Sequence, residues 1–235
     1  MGTIRIEESL SNKLEIGVLA WARLEVHPDR SAALENDIRQ AEQEVRQVYS
    51  GLQPGQIDGL KVARRLYRSI GQDPTRTRPS SEALLRRVQK GGSIPRINSV
   101  VDAANLVSLS ILLPIGLYDA ATVDGDIHLR LGRDGEAYQR IGQGELHLQG
   151  RIALFDRLGG FGNPTGDSAR TCITAQTREI LFFIFAPPTV AKVAMEEYID
   201  RAGRSLARHL GGDEMGRAFI GGDDGPLTAG IDGVR

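Results

Sequence analysis

Three polar side chains at helical spacing are the first candidates for chemistry in this sequence. Asn98, Asp102 and Asn105 stand at positions i, i+4 and i+7, so they share one face of the helix predicted there. Two amides and a carboxylate on one face would suit the wall of a polar pocket. The same groups could instead bond loop backbone and brace the structure, a role that we favour for Asp102 and Asn105. The role of Asn98 stays open, because it lies near the N-cap of the helix.

Basic residues are concentrated just before this helix. Between residues 61 and 96, ten lysines and arginines stand against only Asp73 and Glu82. A basic face could dock a phosphate backbone, although the net charge of −1 predicts no attraction of the whole chain to nucleic acid. The alternative is an ordinary solvated helix face. The predicted RNA contacts are Arg64, Arg65, Arg68, Arg86 and Arg87.

Arg96 follows a glycine turn and allows two interpretations. It would contact a carboxylate or a phosphate, or it would be a surface arginine. The other reactive residues form no recognisable site. Cys172 has no histidine near it in sequence and is interpreted as a structural thiol. The histidines match no metal-ligand spacing, so neither a metal nor a cofactor is expected; they are His27, His128, His147 and His209.

Helices are predicted mainly in the first half of the chain and short strands in the second. The apolar run 180–186 is typical of a fully buried strand, and 158–168 is predicted as a long loop because it holds four glycines and a proline. This order of elements favours an α+β fold. Helices are predicted at 31–49, 57–70, from a cap at Ser80 or Ser81 to Gln89, from Ser99, and at 190–210, and strands at 13–26, 126–131, 137–141, 145–148 and 152–155.

Composition limits the setting in which the chain works. No apolar run approaches the roughly 20 residues of a membrane span, and no secretory signal follows Met1. A single cysteine fits a reducing cytoplasm, which is the expected location. Residues 211–235 are rich in glycine and are expected to pack weakly or to extend onto a partner, for instance as the arm of a homodimer.

The segment 95–119 resembles the tRNA-editing domain, called B3/B4, of the bacterial phenylalanyl-tRNA synthetase β subunit. That family carries a run like R-P-I-N-N-V-V-D-V-T-N-Y-V, and this chain reads P-R-I-N-S-V-V-D-A-A-N-L-V at 95–107. The family's later G-Q-P-L-H-A-F-D is similar to L-P-I-G-L-Y-D at 113–119, and its glycine-rich loop to 160–168. The resemblance covers roughly residues 59–187 and implies a free-standing member of the family, since the other modules of the synthetase subunit have no counterpart.

The resemblance implies a three-layer α+β domain that contains an unusual β-sandwich. We expect an N-terminal strand and helix that belong to the domain at 1–58, a B3/B4-like core at 59–188, a C-terminal helix at 189–210 and the glycine-rich tail at 211–235. It also implies a substrate: an aminoacyl-tRNA carrying the wrong amino acid, whose ester bond is hydrolysed. The expected partners are therefore tRNA or aminoacyl-tRNA and a small amino-acid-like ligand, without a membrane.

The resemblance also implies site residues. The family's acidic loop residue falls near Asp167, and backbone N–H groups of the glycine loop would stabilise an oxyanion. The expected catalytic residues are Asp167, Ser168 and Thr171, and the expected substrate contacts are Arg96, Asn98, Gly116, Gly166 and Arg170.

One departure from the family pattern divides the functional hypotheses. Gly116 stands where the family has histidine, and a glycine can neither accept a proton nor orient water through a side chain. The first hypothesis is an editing-like hydrolase for mischarged aminoacyl-tRNA or a related ester, with Gly116 enlarging the pocket. The alternative is a non-catalytic module that binds an amino acid or tRNA.

Overall fold

The structure is a computed structural model that describes residues 2–221 and 228–231. The helices are α1 Ala32–Val48, α2 Asp58–Ser69, α3 Ser80–Gln89, α4 Ser99–Ile111 and α5 Lys192–Leu210. The strands are β1 Gly2–Ile6, β2 Glu15–Ala22, β3 Ile115–Asp119, β4 Ile127–Leu131, β5 Ala137–Arg140, β6 Gln143–His147, β7 Ile152–Asp156, β8 Gly159–Gly162, β9 Ile180–Ala186, β10 Asp213–Ile220 and β11 Thr228–Ile231.

Two sheets form the centre of the molecule. One has the strand order β11-β1-β4-β7-β8 and the other β10-β2-β9-β3, while β5 and β6 form a separate hairpin. The β1–β4 pair is parallel, and every other strand pair is antiparallel among the described residues. The sandwich therefore has a mixed topology rather than a simple succession of hairpins.

Strand β9 shows how the layers are built. Its odd-numbered residues Leu181, Phe183 and Phe185 join the core between the two sheets, because successive side chains of a strand point to opposite faces. The alternate residues Phe182 and Ile184 join a second core on the other face. This face packs against α4 and α5. Because both faces of β9 are buried, the strand needs apolar residues at successive positions. The predicted fully buried strand at 180–186 is confirmed.

A third core lies among the helices, where α1 and α3 pack on α4. The molecule thus has sheet, sheet and helices as successive layers, and the predicted α+β class with a β-sandwich is confirmed. Strands β1 and β2 each belong to one of the two sheets. No helix within residues 2–221 and 228–231 is long and apolar enough to cross a bilayer.

Three local expectations are wrong. Helix α3 is preceded by Pro79 as its N-cap, and neither Ser80 nor Ser81 caps it. Part of the predicted loop 158–168 is strand β8, which pairs with β7 in spite of its glycines. The tail does not pack weakly where it is described: β10 pairs with β2 along its length, and β11 pairs with β1. Residues 222–227 and 232–235 of that tail lie outside the described residues.

Candidate active site

A cavity of about 240 Å³ lies between helices α3 and α4, strand β3 and the loop 163–167. Apolar side chains make up much of its wall, and the polar groups come from Ser80, Asn105, Ser108 and the loop. No arginine, lysine or histidine of the described part of the chain lines it. The lining residues are Ser80, Leu84, Val101, Ala104, Asn105, Ser108, Ile115, Leu117, Ile141, Asn163, Pro164, Thr165, Gly166, Asp167 and Ile173.

The loop 163–167 is held by three buried tyrosines from three different elements. Tyr67 of α2 donates a hydrogen bond to the carbonyl of Pro164 at 2.8 Å, and Tyr138 of β5 donates to the carbonyl of Gly166. Tyr118 of β3 donates to Asp167 Oδ1 at 2.8 Å. Burial raises the pKa of each phenol, so all three stay protonated as donors.

The loop also stabilises itself. The Asn163 side-chain oxygen accepts from the N–H groups of Thr165 and Gly166, at 2.8 and 2.9 Å. Such an Asx turn is the local reason why Asn-Pro-Thr-Gly folds tightly here. Together with the tyrosines, it presents Gly166 and Asp167 to the cavity in one fixed conformation.

Asp167 is the only ionisable residue in the cavity wall among the described residues. Burial raises its pKa to about 7, although hydrogen bonds from the Tyr118 hydroxyl and the Leu117 N–H favour the ionised form. At neutral pH the carboxyl group therefore exists in both protonation states. This is the behaviour that general acid–base chemistry near pH 7 needs.

The raised pKa of Asp167 predicts a pH-dependent stability difference. The folded state holds its proton up to about pH 7 and the unfolded chain only to about 3.8, so stability falls as the pH rises between these values. At about 1.36 kcal/mol per pKa unit, the wild type should lose about 2–3 kcal/mol relative to Asp167→Asn between pH 5 and 8.5. Urea unfolding at both pH values measures this, and a pH-independent difference would contradict it.

Gly116 does not line the cavity; its neighbourhood is filled by Tyr118. A Cβ atom built on Gly116 would overlap Tyr118 Oη and lie 2.7 Å from its Cζ, and a Cβ on Gly162 would overlap the same hydroxyl. The phenol thus lies between two glycines, with its hydroxyl on Asp167. The position where the family carries histidine is adjacent to the site, but the glycine there makes room for a neighbouring ring rather than for ligand.

A Gly116→Ala substitution should displace the Tyr118 ring and weaken its hydrogen bond to Asp167. Because Tyr118 is fully buried, the ring has little space in which to move. We expect a loss of about 1–3 kcal/mol in unfolding free energy, as for other overpacked cores. Gly55→Ala is the control, since no atom lies within 4 Å of the added methyl. Equal stability of the two variants would refute this account.

Three predicted site residues that follow the loop 163–167 make structural contacts and do not line the cavity. Ser168 is buried and accepts from the Arg170 N–H at 3.1 Å. Thr171 is fully buried and donates to the carbonyl of Phe161 at 3.3 Å. Arg170 forms two 2.9 Å bonds with the buried carboxylate of Asp156. Of the predicted residues in this segment, only Gly166 and Asp167 line the cavity. The catalytic roles of Ser168 and Thr171 and the substrate contact of Arg170 stay predictions.

Of the candidate residues between 95 and 119, some line the cavity and others make structural contacts elsewhere. Asn98 caps α4 by accepting from the Val101 N–H at 2.9 Å, and Arg96 pairs with Glu35 at 3.1 Å; neither lines the cavity. Asp102 is buried and bonds Arg30 and the Ile97 N–H, which is the bracing role that the sequence favoured. Asn105, for which bracing was also favoured, instead faces the cavity.

The predicted RNA face on α2 and α3 is partly occupied by internal contacts. Arg64 forms two bonds to the buried Glu82, and Arg86 lies 3.6 Å from the same carboxylate. Arg87 donates to the carbonyl of Ser93, and Arg65 donates to Thr189. Arg68 is exposed. RNA binding by this face stays a prediction.

Several cavity residues were missed by sequence reasoning. Ser80 was assigned as a cap, yet its Oγ is buried at the cavity without a hydrogen-bond partner among the described residues. Ile141, at the tip of the β5–β6 hairpin, reaches the cavity and donates its N–H to the Asp167 carbonyl. The sequence around Tyr67, Tyr118 and Tyr138 does not indicate that they hold the loop 163–167, because their hydrogen-bond partners are 28 to 97 positions away.

Comparison with known proteins identifies relatives for this architecture. The phenylalanine–tRNA ligase β subunit of Latilactobacillus sakei subsp. sakei is 32% identical over 131 residues, which are 49% of this chain and 15% of that protein. The corresponding subunit of Neisseria meningitidis serogroup B is 23% identical over 131 residues, covering 52% and 16%. The chain thus spans less than a fifth of the length of these curated relatives.

A solved structure and a family model were also matched. One matched structure is the crystal structure of an N-terminal fragment of the Pyrococcus horikoshii phenylalanyl-tRNA synthetase β subunit. The match covers 94% of this chain and 52% of that fragment, with a TM-score of 0.44 and 12% sequence identity. The family model described as the B3/4 domain matches residues 62–203, which include α3, α4, the loop 163–167 and most of α5. Because this match covers more than half of the 235 residues, the chain belongs to the B3/4 domain family.

Proposed function

We propose that this protein binds the aminoacyl group of a mischarged aminoacyl-tRNA, or of a related aminoacyl ester, in the cavity beside Asp167 and hydrolyses the ester. Membership of the B3/4 family and the relatives named phenylalanine–tRNA ligase β subunit support the substrate class. The observation that carries the proposal is a buried carboxyl with a pKa of about 7 in the wall of a small cavity.

The cavity suits one amino-acid-sized group. Its volume of about 240 Å³ is below the roughly 300–1,000 Å³ of pockets for drug-sized ligands. The apolar wall from Leu84, Val101, Ile115 and Leu117 would contact a side chain. Asp167, as the only ionisable group in the described wall, would accept hydrogen bonds from an ammonium group or from water.

Asp167 is the proposed general base. Its carboxylate would take a proton from a water molecule as the water oxygen forms a bond to the ester carbonyl carbon. Collapse of the resulting tetrahedral species would break the bond to the ribose oxygen, and the proton held by Asp167 would pass to that oxygen. The hydrogen bond from Tyr118 would keep the carboxylate oriented throughout.

The oxyanion would be stabilised differently from the sequence expectation. The N–H groups of Thr165 and Gly166 are already bonded to Asn163, so they are not available to the reacting carbonyl. The Asn105 amide lines the cavity and has no hydrogen-bond partner within the described residues. We therefore assign Asn105 to the developing negative charge, as side-chain amides serve elsewhere.

A panel of mischarged tRNAs tests the proposal. Each aminoacyl-tRNA is incubated with the protein and the remaining ester is measured over time, beside the spontaneous rate. Accelerated deacylation of at least one species supports the proposal. Absence of acceleration for every species, at high excess of correctly folded protein, would overturn the hydrolase assignment.

Gly116 favours a second candidate, a binding module without catalysis. Glycine stands in place of the family histidine and Tyr118 fills the space, so no histidine of the described residues lines the cavity with Asp167. A ligand that binds only the folded state raises the melting temperature. Thermal shifts with amino acids or amino-acid esters, together with unchanged ester in the deacylation assay, would select this candidate over the hydrolase.

A further inference from the structure

A second cavity, of about 230 Å³, lies on the other side of α4, between α4, α5 and the start of α1. Its floor includes Leu106 and Val107 of α4. Arg201, Arg204 and Arg208 of α5 stand three and four residues apart, so one face of the helix brings all three to this groove. The groove shares no lining residue with the cavity beside Asp167.

Positive charge dominates this groove. Asp37 is the only carboxylate among the described lining residues, and it is already paired, with Arg208 Nε at 2.8 Å and with His209 Nε2 at 3.2 Å. Arg204 forms no ion pair within the described residues, although its charge acts on Asp200, which is itself paired with Arg217. Arg201 makes a single 3.3 Å bond to the Ser110 carbonyl. Two guanidinium groups thus remain available for an anion at the rim of an apolar floor.

Two covered polar atoms border the same groove without partners. Ser205 Oγ and His209 Nδ1 have no hydrogen bond among the described residues, and the His209 side chain is only 1% exposed. Unsatisfied buried groups are uncommon in native proteins, and bound ligands or waters are a usual explanation. The charge and the apolar floor suit an anion that carries a weakly polar body, such as a phosphate joined to a nucleobase.

We propose that this groove binds a nucleotide, with its phosphate on Arg201 and Arg204 and its base over Leu106 and Val107. Arginine suits phosphate because its guanidinium offers paired donors, and it also stacks on bases. The nucleotide is either a free mononucleotide or one residue of a single-stranded RNA, since both present the same phosphate and base.

Calorimetric titration of the whole chain with AMP, inorganic phosphate and adenosine tests the site. AMP should bind more tightly than phosphate or adenosine, because only AMP engages both the arginines and the apolar floor. In the double variant Arg201→Glu plus Arg204→Glu, we expect AMP affinity to fall at least tenfold. Both residues are exposed, so the fold should survive, as a circular dichroism spectrum can verify.

Lys192→Glu is the matched control, because it reverses an exposed charge on the same helix outside the groove and should leave AMP affinity unchanged. No binding of AMP, or equal affinity in the double variant, would overturn the proposal. A single-stranded oligoadenylate distinguishes the sources. Tighter binding than AMP, with a steeper salt dependence and the same loss in the double variant, assigns RNA; binding no tighter than AMP assigns the free mononucleotide.

Discussion

Asp167→Asn should lower the rate of ester hydrolysis at neutral pH by at least about 100-fold, the lower range for removal of a general base. The amide can still accept from Tyr118, so the loop should keep its conformation. In the wild type, the rate should rise with pH and level off above about pH 7, because only the ionised carboxyl accepts a proton. Single-turnover deacylation across pH 5–9 measures both effects.

Asp134→Asn is the control for this variant, since Asp134 is exposed in a turn away from the cavity. It should hydrolyse ester at the wild-type rate and with the wild-type pH profile. If Asp167→Asn retained the same activity as this control, Asp167 would not be the base. A hydrolase would then have to use another group.

Asp102→Ala should cost about 3–5 kcal/mol of unfolding free energy, the range for breaking one partner of a buried ion pair. The Asp102 side chain is fully buried and its partner Arg30 is only 5% exposed, with Nε 2.8 Å from the carboxylate. Arg30 would keep its bonds to the carbonyls of Ile94 and Pro95 and its 3.0 Å pair with Glu35. It would lose the buried carboxylate of Asp102, and the Ile97 N–H would lose its acceptor. Urea unfolding at pH 7 measures the loss.

The exposed pair of Asp58 with Lys61 provides the comparison. Asp58 is 93% exposed, and Asp58→Ala should leave the unfolding free energy nearly unchanged, because exposed ion pairs contribute little. Replacing both buried partners, Arg30→Met with Asp102→Leu, should recover part of the loss, because neither buried charge of this pair then remains. Glu35 would keep its pairs with Arg39 and Arg96. A loss below about 1 kcal/mol for Asp102→Ala would contradict this assignment.

Much of the fold could be predicted from local pattern. The apolar run of β9, the alternation of β4 and the striped helices α1 and α2 all lie where the sequence placed them. Strand β8 could not be found in this way, because its glycines carry no apolar signal and it exists only through pairing with β7. The same holds for β10, whose long-range partner β2 stabilises it.

The site could be predicted only in outline. The resemblance brought Gly166 and Asp167 into one hypothesis, and both line the cavity. Asn105 lines it too, although the sequence favoured a bracing role for that residue. It could not show that Ser168 and Arg170 are used to brace the loop, since this depends on buried partners such as Asp156. Nor could it show that Tyr118 lies over Gly116, which requires the strand geometry.

Helix α4 forms a wall of both cavities. Asn105 and Ala104 face one of them, and the adjacent Leu106 and Val107 face the other. A rotation of α4 that widens the cavity beside Asp167 must therefore change the shape of the groove on the other side of the helix. If a ligand in the cavity changed the affinity of the groove for its own ligand, the ligand in the groove would change the affinity of the cavity by the same factor, since thermodynamic linkage is reciprocal.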